Sequence, residues 1–330
     1  MKRLAVPWIA VMVVTGLALL TCSQVAAAVD FPAKGKPITI IVPFAAGGGT
    51  DVAARLLASL MEKDLGVPVQ IVNRPGAGSQ VGVSALATSK PDGYTIGITP
   101  FPHTMTTYLD PERKAVFSRS SFEPVGAFFT NPVISSVGAG SPYKTLKEVI
   151  DAAKANPGKI KAGATGILGP SHLGLLQLQQ VAGLQLAAVQ FDGGAPQMTA
   201  LLGGHIDLAT NITPEVMGPS KAGQIRLLGV MDKTESPFLA GVKTFESQGY
   251  PVVSTSPVGI SAPAGTPKEI VAILAASMKK AVSTTDWKGK MDELGFTTMV
   301  PDPSGYAAFW QETEARVKPL MELAKREAAM

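Results

Sequence analysis

The stretch Pro37-Ile38-Thr39-Ile40-Ile41-Val42-Pro43-Phe44-Ala45-Ala46-Gly47-Gly48-Gly49-Thr50-Asp51 sets the architecture of the chain. Ile38 to Phe44 is a short apolar run rich in β-branched residues, which predicts a buried parallel strand. Three glycines then turn the chain. Thr50 to Leu65 takes helical spacing, with Val52, Leu56, Leu60 and Leu65 mainly on one face and Gly66 placed as a C-cap. A strand that feeds a helix through a glycine turn is the repeating unit of an α/β sheet.

The unit recurs downstream. Val67 to Val72 reads as a strand, Asn73-Arg74-Pro75-Gly76-Ala77-Gly78 as a turn and Gln80 to Ser89 as a helix. Pro91-Asp92-Gly93 then leads into a third strand, Tyr94 to Thr99. Further strands are predicted at Lys159 to Ala164, Ala187 to Phe191 and Ile206 to Thr210, with helices at Lys144 to Asn156, Ser171 to Ala182 and Ala195 to Leu202. Thr266-Pro267-Lys268-Glu269 marks a helix start. Two long helices, Lys268 to Val282 and Ser304 to Arg326, close the chain. Extended stretches at Val125 to Val137 and Val252 to Ala262 are candidate crossings between two halves.

The amino terminus predicts an export signal. Lys2 and Arg3 precede an apolar run from Leu4 to Leu20, and Ala26-Ala27-Ala28 supplies a small-residue cleavage site, so residues 1–28 are expected to be removed. The apolar run has the length of a membrane anchor, but it lacks a positively charged stop-transfer flank. Cys22, the one cysteine, raises lipoprotein acylation as an alternative, which Leu19-Leu20-Thr21 matches poorly; cleavage after Ala28 would discard the thiol. The formal charge of +4 shrinks with the loss of Lys2 and Arg3, which leaves no electrostatic drive toward nucleic acid. The roughly 300 residues that follow exceed one ordinary core and call for two lobes.

The strand, Gly47-Gly48-Gly49-Thr50-Asp51 and the helix that follows place unpaired backbone N–H groups at a positive helix end. The glycines clear the approach to the backbone, Thr50 offers a hydroxyl and Asp51 is expected to cap the helix. The same residues also make an ordinary tight corner. The second turn, Gly76, Ala77, Gly78 and Ser79, falls on the same carboxyl edge of a parallel sheet, where α/β folds bind ligands, and this favours a site. Arg74 beside it is a second-choice carboxylate partner.

Other chemistries find little support. Gly76-Ala77-Gly78 with Gly82 is a loose match to a dinucleotide fingerprint, and no Gly-Lys-Ser/Thr phosphate loop occurs, so no cofactor is expected. His103, His172 and His205 are scattered without metal spacing. Ser171 fits an N-cap and His172 a first-turn surface residue; adjacent helical positions point about 100° apart, so the two make no catalytic couple. No enzyme activity is expected. Thr165 and Ser171 belong to a turn between strand and helix in the second half, and Phe191, Asp192 and Gly193 to another. Asp207 is a candidate for orienting backbone at the cleft, or a structural residue at a strand start.

The Pro37 to Asp51 stretch closely resembles the substrate-binding proteins of tripartite tricarboxylate transporters, the Bug-type receptors. Asn73 to Gly78, Lys90-Pro91-Asp92-Gly93-Tyr94-Thr95, Leu202-Gly203-Gly204-His205-Ile206-Asp207 and Ala262-Pro263-Ala264-Gly265-Thr266-Pro267 match in order and spacing. The resemblance implies an α/β, two-lobed periplasmic binding protein of type II-like form, each lobe a mainly parallel sheet flanked by helices, with two crossing strands as hinge. Lobe 1 is then 29–130 with 259–330, and lobe 2 is 131–258. It further implies a monomer that closes on a small organic acid and delivers it to the membrane subunits of the transporter; a receptor for a two-component signalling partner would need the same closure. The carboxylate would be held by backbone amides and hydroxyls of facing turns, which here match Phe44, Ala45 and Gly47 to Thr50, Gly76 to Ser79, Thr165 to Ser171, and Phe191 to Ala195. At Gln190-Phe191-Asp192-Gly193 the chain departs from the family's Pro-Tyr pattern. A carboxylate at Asp192 would discourage a second negative group on the ligand.

Overall fold

The computed structural model describes residues 30–191 and 193–328, so the expected signal segment, Cys22 and Asp192 lie outside the described residues. In chain order the first half runs β1 (Ile38–Val42), α1 (Gly49–Leu65), β2 (Val69–Asn73), α2 (Gln80–Ala87), β3 (Thr95–Pro100), α3 (His103–Leu109) and β4 (Phe122–Thr130). The second half follows as β5 (Val133–Gly138), α4 (Leu146–Ala155), β6 (Lys161–Thr165), α5 (Pro170–Ala182), β7 (Ala187–Phe191), α6 (Gly194–Leu202), β8 (Leu208–Ile212), α7 (Thr213–Lys221) and β9 (Ile225–Val230). β10 (Val258–Pro263), α8 (Lys268–Val282), α9 (Thr285–Leu294), β11 (Thr297–Thr298) and α10 (Pro303–Ala328) complete it.

The strands form two sheets, ordered β11-β4-β10-β3-β1-β2 and β7-β6-β8-β5-β9. β1 pairs in parallel with β2 and β3, and β6 with β7 and β8, so each glycine turn leaves the same edge of its sheet. Both sheets are mixed rather than mainly parallel. β10 runs antiparallel to β3 and β4, and β5 antiparallel to β8 and β9: each enters its sheet directly from the crossing segment and so runs against the strands beside it.

β1 is shorter than the apolar run predicts. Pro43 has no N–H for the ladder, and Phe44 is already in the turn. Ile38, Ile40 and Val42 are fully buried, as a strand covered on both faces requires. Gly66 takes the left-handed conformation (φ 69°) and its N–H closes α1 onto the Glu62 carbonyl at 3.0 Å.

The two crossing segments pair with each other. Asn131 and Ser256 exchange N–H···O bonds of 3.3 and 2.7 Å, and the Val133 N–H donates to the Ser254 carbonyl at 2.9 Å. These bonds leave the two lobes joined by a narrow antiparallel ladder, the kind of element-terminal backbone that absorbs a hinge rotation. A further link is helical: Val317, Leu320 and Met321 near the end of α10 share a buried cluster with Leu168, Leu173 and Leu176 of the second lobe. The root of α10 stays with the first sheet, where the Tyr306 hydroxyl donates to the Thr99 carbonyl at 2.7 Å and its ring fills the space left by Gly259.

Candidate functional site

The parallel strands of the first sheet end at Val42, Asn73 and Pro100, and those of the second at Thr165, Phe191 and Ile212. Two contacts show that these edges face one another. A Cβ added to Gly169 of the second lobe would lie 3.4 Å from His103 Nε2 of the first. Gly295, just past α9, sits against Met217 and Thr213 of α7. The cleft lies between these contacts.

Its first wall is the glycine turn. α1 begins at Gly49 with Gly48 as an extended N-cap and no side-chain capping bond, so Asp51 is not the cap that the sequence predicts. Asp51 stands in the first turn, 2% exposed, and its Oδ2 reaches back to accept the Gly47 N–H at 2.8 Å. Oδ2 also accepts from Arg55 Nε at 2.9 Å, and Oδ1 from Asn73 Nδ2 at 2.8 Å; Asn73 Nδ2 further donates to the Phe44 carbonyl at 3.1 Å. Burial opposes ionisation of Asp51, but the bonds from Arg55, Gly47 and Asn73 outweigh it and hold the carboxyl below its ordinary range. The carboxylate therefore ties the first turn to the end of β2. Among the described residues, the N–H groups of Gly48, Gly49 and Thr50 donate to none, and Ala45 to Gly48 are exposed. Gly49 is required by packing, since a Cβ there would lie 2.6 Å from Cζ of Phe296, which stacks on Phe129 at 4.6 Å.

The second turn has an unusual backbone. Gly76, Ala77, Gly78 and Ser79 all have positive φ (133°, 47°, 61° and 81°). Ser79 is buried, and among the described residues its Oγ has no hydrogen-bond partner. Arg74 is exposed, with its N–H on the Val42 carbonyl.

On the opposite side Thr165 is half-buried and Ser171 is 1% exposed. Thr165 Oγ1 and Ser171 Oγ lie 2.9 Å apart, and the Gly166 N–H donates to the Phe191 carbonyl at 3.2 Å, which links the two turns of this lobe. Gly169 rather than Ser171 is the N-cap of α5, with Pro170 following it. His172 is not a surface residue but 7% exposed, and its Nδ1 accepts the Leu168 N–H at 3.0 Å. Exposed Ile167 and half-buried Phe44 add apolar surface to the two walls. Gly193 turns the chain at φ 118° into α6, whereas the Phe191 ring packs partly into the core of its own lobe.

Asp207 is not brought to this edge. Its carboxylate accepts the Lys161 N–H at 2.8 Å, at the amino end of β6. The predicted strand started at Ile206, whereas β8 starts at Leu208, so Asp207 pins a strand entry at the far edge of the sheet.

Three residues reach the cleft region that the sequence did not mark as ligand-binding, although His103 was weighed and dismissed as a metal ligand. His103 stands just past β3, its ring edge-on to Phe44 at 6.5 Å and 81°. Burial, then the nearby Arg113 charge, lowers its pKa to about 4, and among the described residues its buried Nδ1 has no partner. Arg113 Nη1 lies 3.5 Å from where a Cβ on Gly78 would be and donates to Thr107 Oγ1 at 3.3 Å. The Glu215 carboxyl presses on Gly194 and accepts from Asn211 Nδ2 (3.0 Å) and the Ile212 N–H (3.1 Å); burial raises its pKa against those two bonds. Thr213-Pro214 shares the Thr-Pro of the Thr266-Pro267 helix start, a signal for the helix that carries Glu215. Among the described residues no group of three His, Cys, Asp or Glu is placed to hold a metal ion.

The buried neutral state of His172 has a consequence for acid stability. Burial lowers its pKa from 6.5 to about 4, so between those values the unfolded chain binds a proton that the folded chain refuses. Its contribution is complete above about pH 6.5 and is lost as pH falls toward 4. In urea unfolding, the wild type is expected to lose about 2 to 3 kcal/mol more than His172→Gln between pH 7 and pH 4.5. Equal losses in both proteins would show that His172 carries no such penalty.

Two α/β lobes, a paired crossing and a cleft lined by helix starts and hydroxyls define a solute-binding protein. Residues 53–325 match the tripartite tricarboxylate transporter family receptor, and the chain belongs to that family. It is 32% identical over 295 residues to the "UPF0065 protein in gbd 5'region" of Cupriavidus necator, covering 87% of each chain. Among solved structures it resembles MatC of Rhodopseudomonas palustris with bound malate (TM-score 0.74, 27% identity, 88% of this chain and 99% of that one). It also resembles an R. palustris protein with adipate (TM-score 0.76, 27% identity, 90% and 99%).

Proposed function

We propose that this chain is a periplasmic receptor that captures a small organic acid between its lobes and hands it to the membrane subunits of a tripartite tricarboxylate-type transporter, without turnover. The observation that carries this reading is the exposed turn from Ala45 to Gly48. It presents the N–H groups of Gly48, Gly49 and Thr50 on one side of a cleft whose other side holds the Thr165 and Ser171 hydroxyls. An oxyanion gains most from such donors where water is excluded, which is what closure of two lobes accomplishes. Gly76 to Ser79 on the first lobe, and Phe191 and Gly193 on the other, complete the rim. Malate and adipate, the acids bound in two similar proteins, fit a site of this charge, and the apolar surfaces of Phe44 and Ile167 favour an acid with a hydrocarbon body.

The test is a thermal-shift screen of the purified chain against adipate, malate, citrate and benzoate, with their amides as controls. Binding to the native state raises the unfolding temperature in proportion to the logarithm of ligand excess. A rise with at least one acid and none with its amide is expected; no rise with any acid would sink the proposal.

A further inference from the structure

Arg113 ends a single 3-10 turn, Pro111–Arg113, that follows α3 and gave no sign of function in the sequence, yet its guanidinium reaches the second glycine turn. Nη1 is in van der Waals range of a Cβ placed on Gly78, and the Arg113 carbonyl accepts from Gln80 Nε2 at 2.9 Å. The residue is thus clamped on both sides of Ser79. Its side chain is half-buried, and its one hydrogen bond to a described side chain is the 3.3 Å bond to Thr107 Oγ1. Among the described residues no Asp or Glu forms an ion pair with it. A guanidinium in this position has most of its planar fork free, and that fork matches a carboxylate in two parallel bonds.

Two further groups beside Arg113 are short of partners. Ser79, 2% exposed, has a buried hydroxyl with none among the described residues, and neither has the buried Nδ1 of His103. Each is a neutral donor or acceptor next to a lone cation, on a segment that leaves the carboxyl edge of the first sheet. Arg74, the arginine that the turn sequence brings to notice, is exposed.

We infer that Arg113 is the counter-ion of the bound acid, pairing with its carboxylate at the second glycine turn and so selecting anionic over neutral ligands. This rests on the receptor reading above. His103 stays uncharged at neutral pH and Arg55 is engaged by Asp51 and Asn73, which leaves the Arg113 guanidinium without an acidic partner among the described residues.

The experiment is calorimetric titration of wild type, Arg113→Gln, Arg113→Lys and the neighbouring Lys114→Gln with whichever of adipate, malate, citrate and benzoate the wild type binds most tightly. It is run at low and high salt, with unfolding temperatures of the ligand-free proteins measured alongside. Arg113→Gln is expected to lose affinity at least 20-fold and to flatten the salt dependence while its ligand-free unfolding temperature stays at the wild-type value. Arg113→Lys is expected to recover part of the loss, and Lys114→Gln to stay within twofold. Arg113→Gln within threefold of wild type would overturn the inference and leave the receptor reading standing, as would a loss matched by Lys114→Gln. Failure of the wild type to bind any of the four acids would overturn both.

Discussion

Gly48→Val is expected to fold as the wild type does and to lose organic-acid affinity by at least 100-fold. The position separates the two demands cleanly. Gly48 has φ −72° and ψ 162°, extended backbone that valine adopts without strain, and a Cβ there meets only the Ala45 carbonyl at 3.8 Å. Glycine is an acceptable N-cap and valine a poor one, so the exchange costs about 1 kcal/mol of stability. The isopropyl group would instead occupy the exposed space over the N–H groups of Gly49 and Thr50. Hundredfold weakening corresponds to about 2.7 kcal/mol, the scale of two charge-assisted hydrogen bonds. Titration with an acid bound by the wild type checks this, with circular dichroism melts to show that the fold is retained. Unchanged affinity would mean that the ligand does not approach the backbone here.

Gly82→Val is expected to do the reverse and damage the scaffold itself, by more than about 3 kcal/mol. A Cβ on Gly82 would lie 2.8 Å from the Arg74 carbonyl oxygen and 2.8 Å from both Cα and Cβ of Pro43. Those atoms belong to the two glycine turns and cannot swing away as the tip of a long side chain can. α2 would have to lift off the carboxyl edge of the sheet, at the upper end of what overpacked cores show. Chemical denaturation of the two proteins measures the loss, and a change under about 1 kcal/mol would show that the contact of α2 with Pro43 and Arg74 does not limit side-chain size here.

How far the residues alone lead can be seen at particular places. The first strand, its glycine turn and the helix ending at Gly66 were all legible, because a β-branched run, three glycines and a left-handed C-cap are local signals. The bounds of α8, Lys268 to Val282, were legible too, although Pro267 is its N-cap rather than its first helical residue and makes no side-chain capping bond. α3 was not legible. Three of its seven residues are threonines, poor helix formers, and Thr104 and Thr107 bond back to the carbonyls of Pro100 and His103 at 2.9 and 2.8 Å. Such a segment shows no amphipathic period. With α3 unseen, His103 and Arg113 had no place in the cleft, because their neighbours at Gly169 and Gly78 are distant in sequence.

The site shows the same division. The turns from Gly47 to Thr50 and from Gly76 to Ser79 announce themselves through glycine. The use made of Asp51 does not, since its bond to Asn73 joins two separate βα units. Asp207 precedes β8, and the entry of a parallel strand lies at the edge opposite the one where the glycine turns leave, so its structural reading holds and its role at the cleft does not.

The most direct test of the central claim is a crystal structure of the chain with the tightest-binding organic acid. The account predicts the acid between the lobes, with carboxylate oxygens about 3 Å from the N–H groups of Gly48 to Thr50 and the Thr165 and Ser171 side chains closing over it. An acid bound outside the cleft, or in it with its carboxylate turned away from the Gly47 to Thr50 turn, would contradict the account.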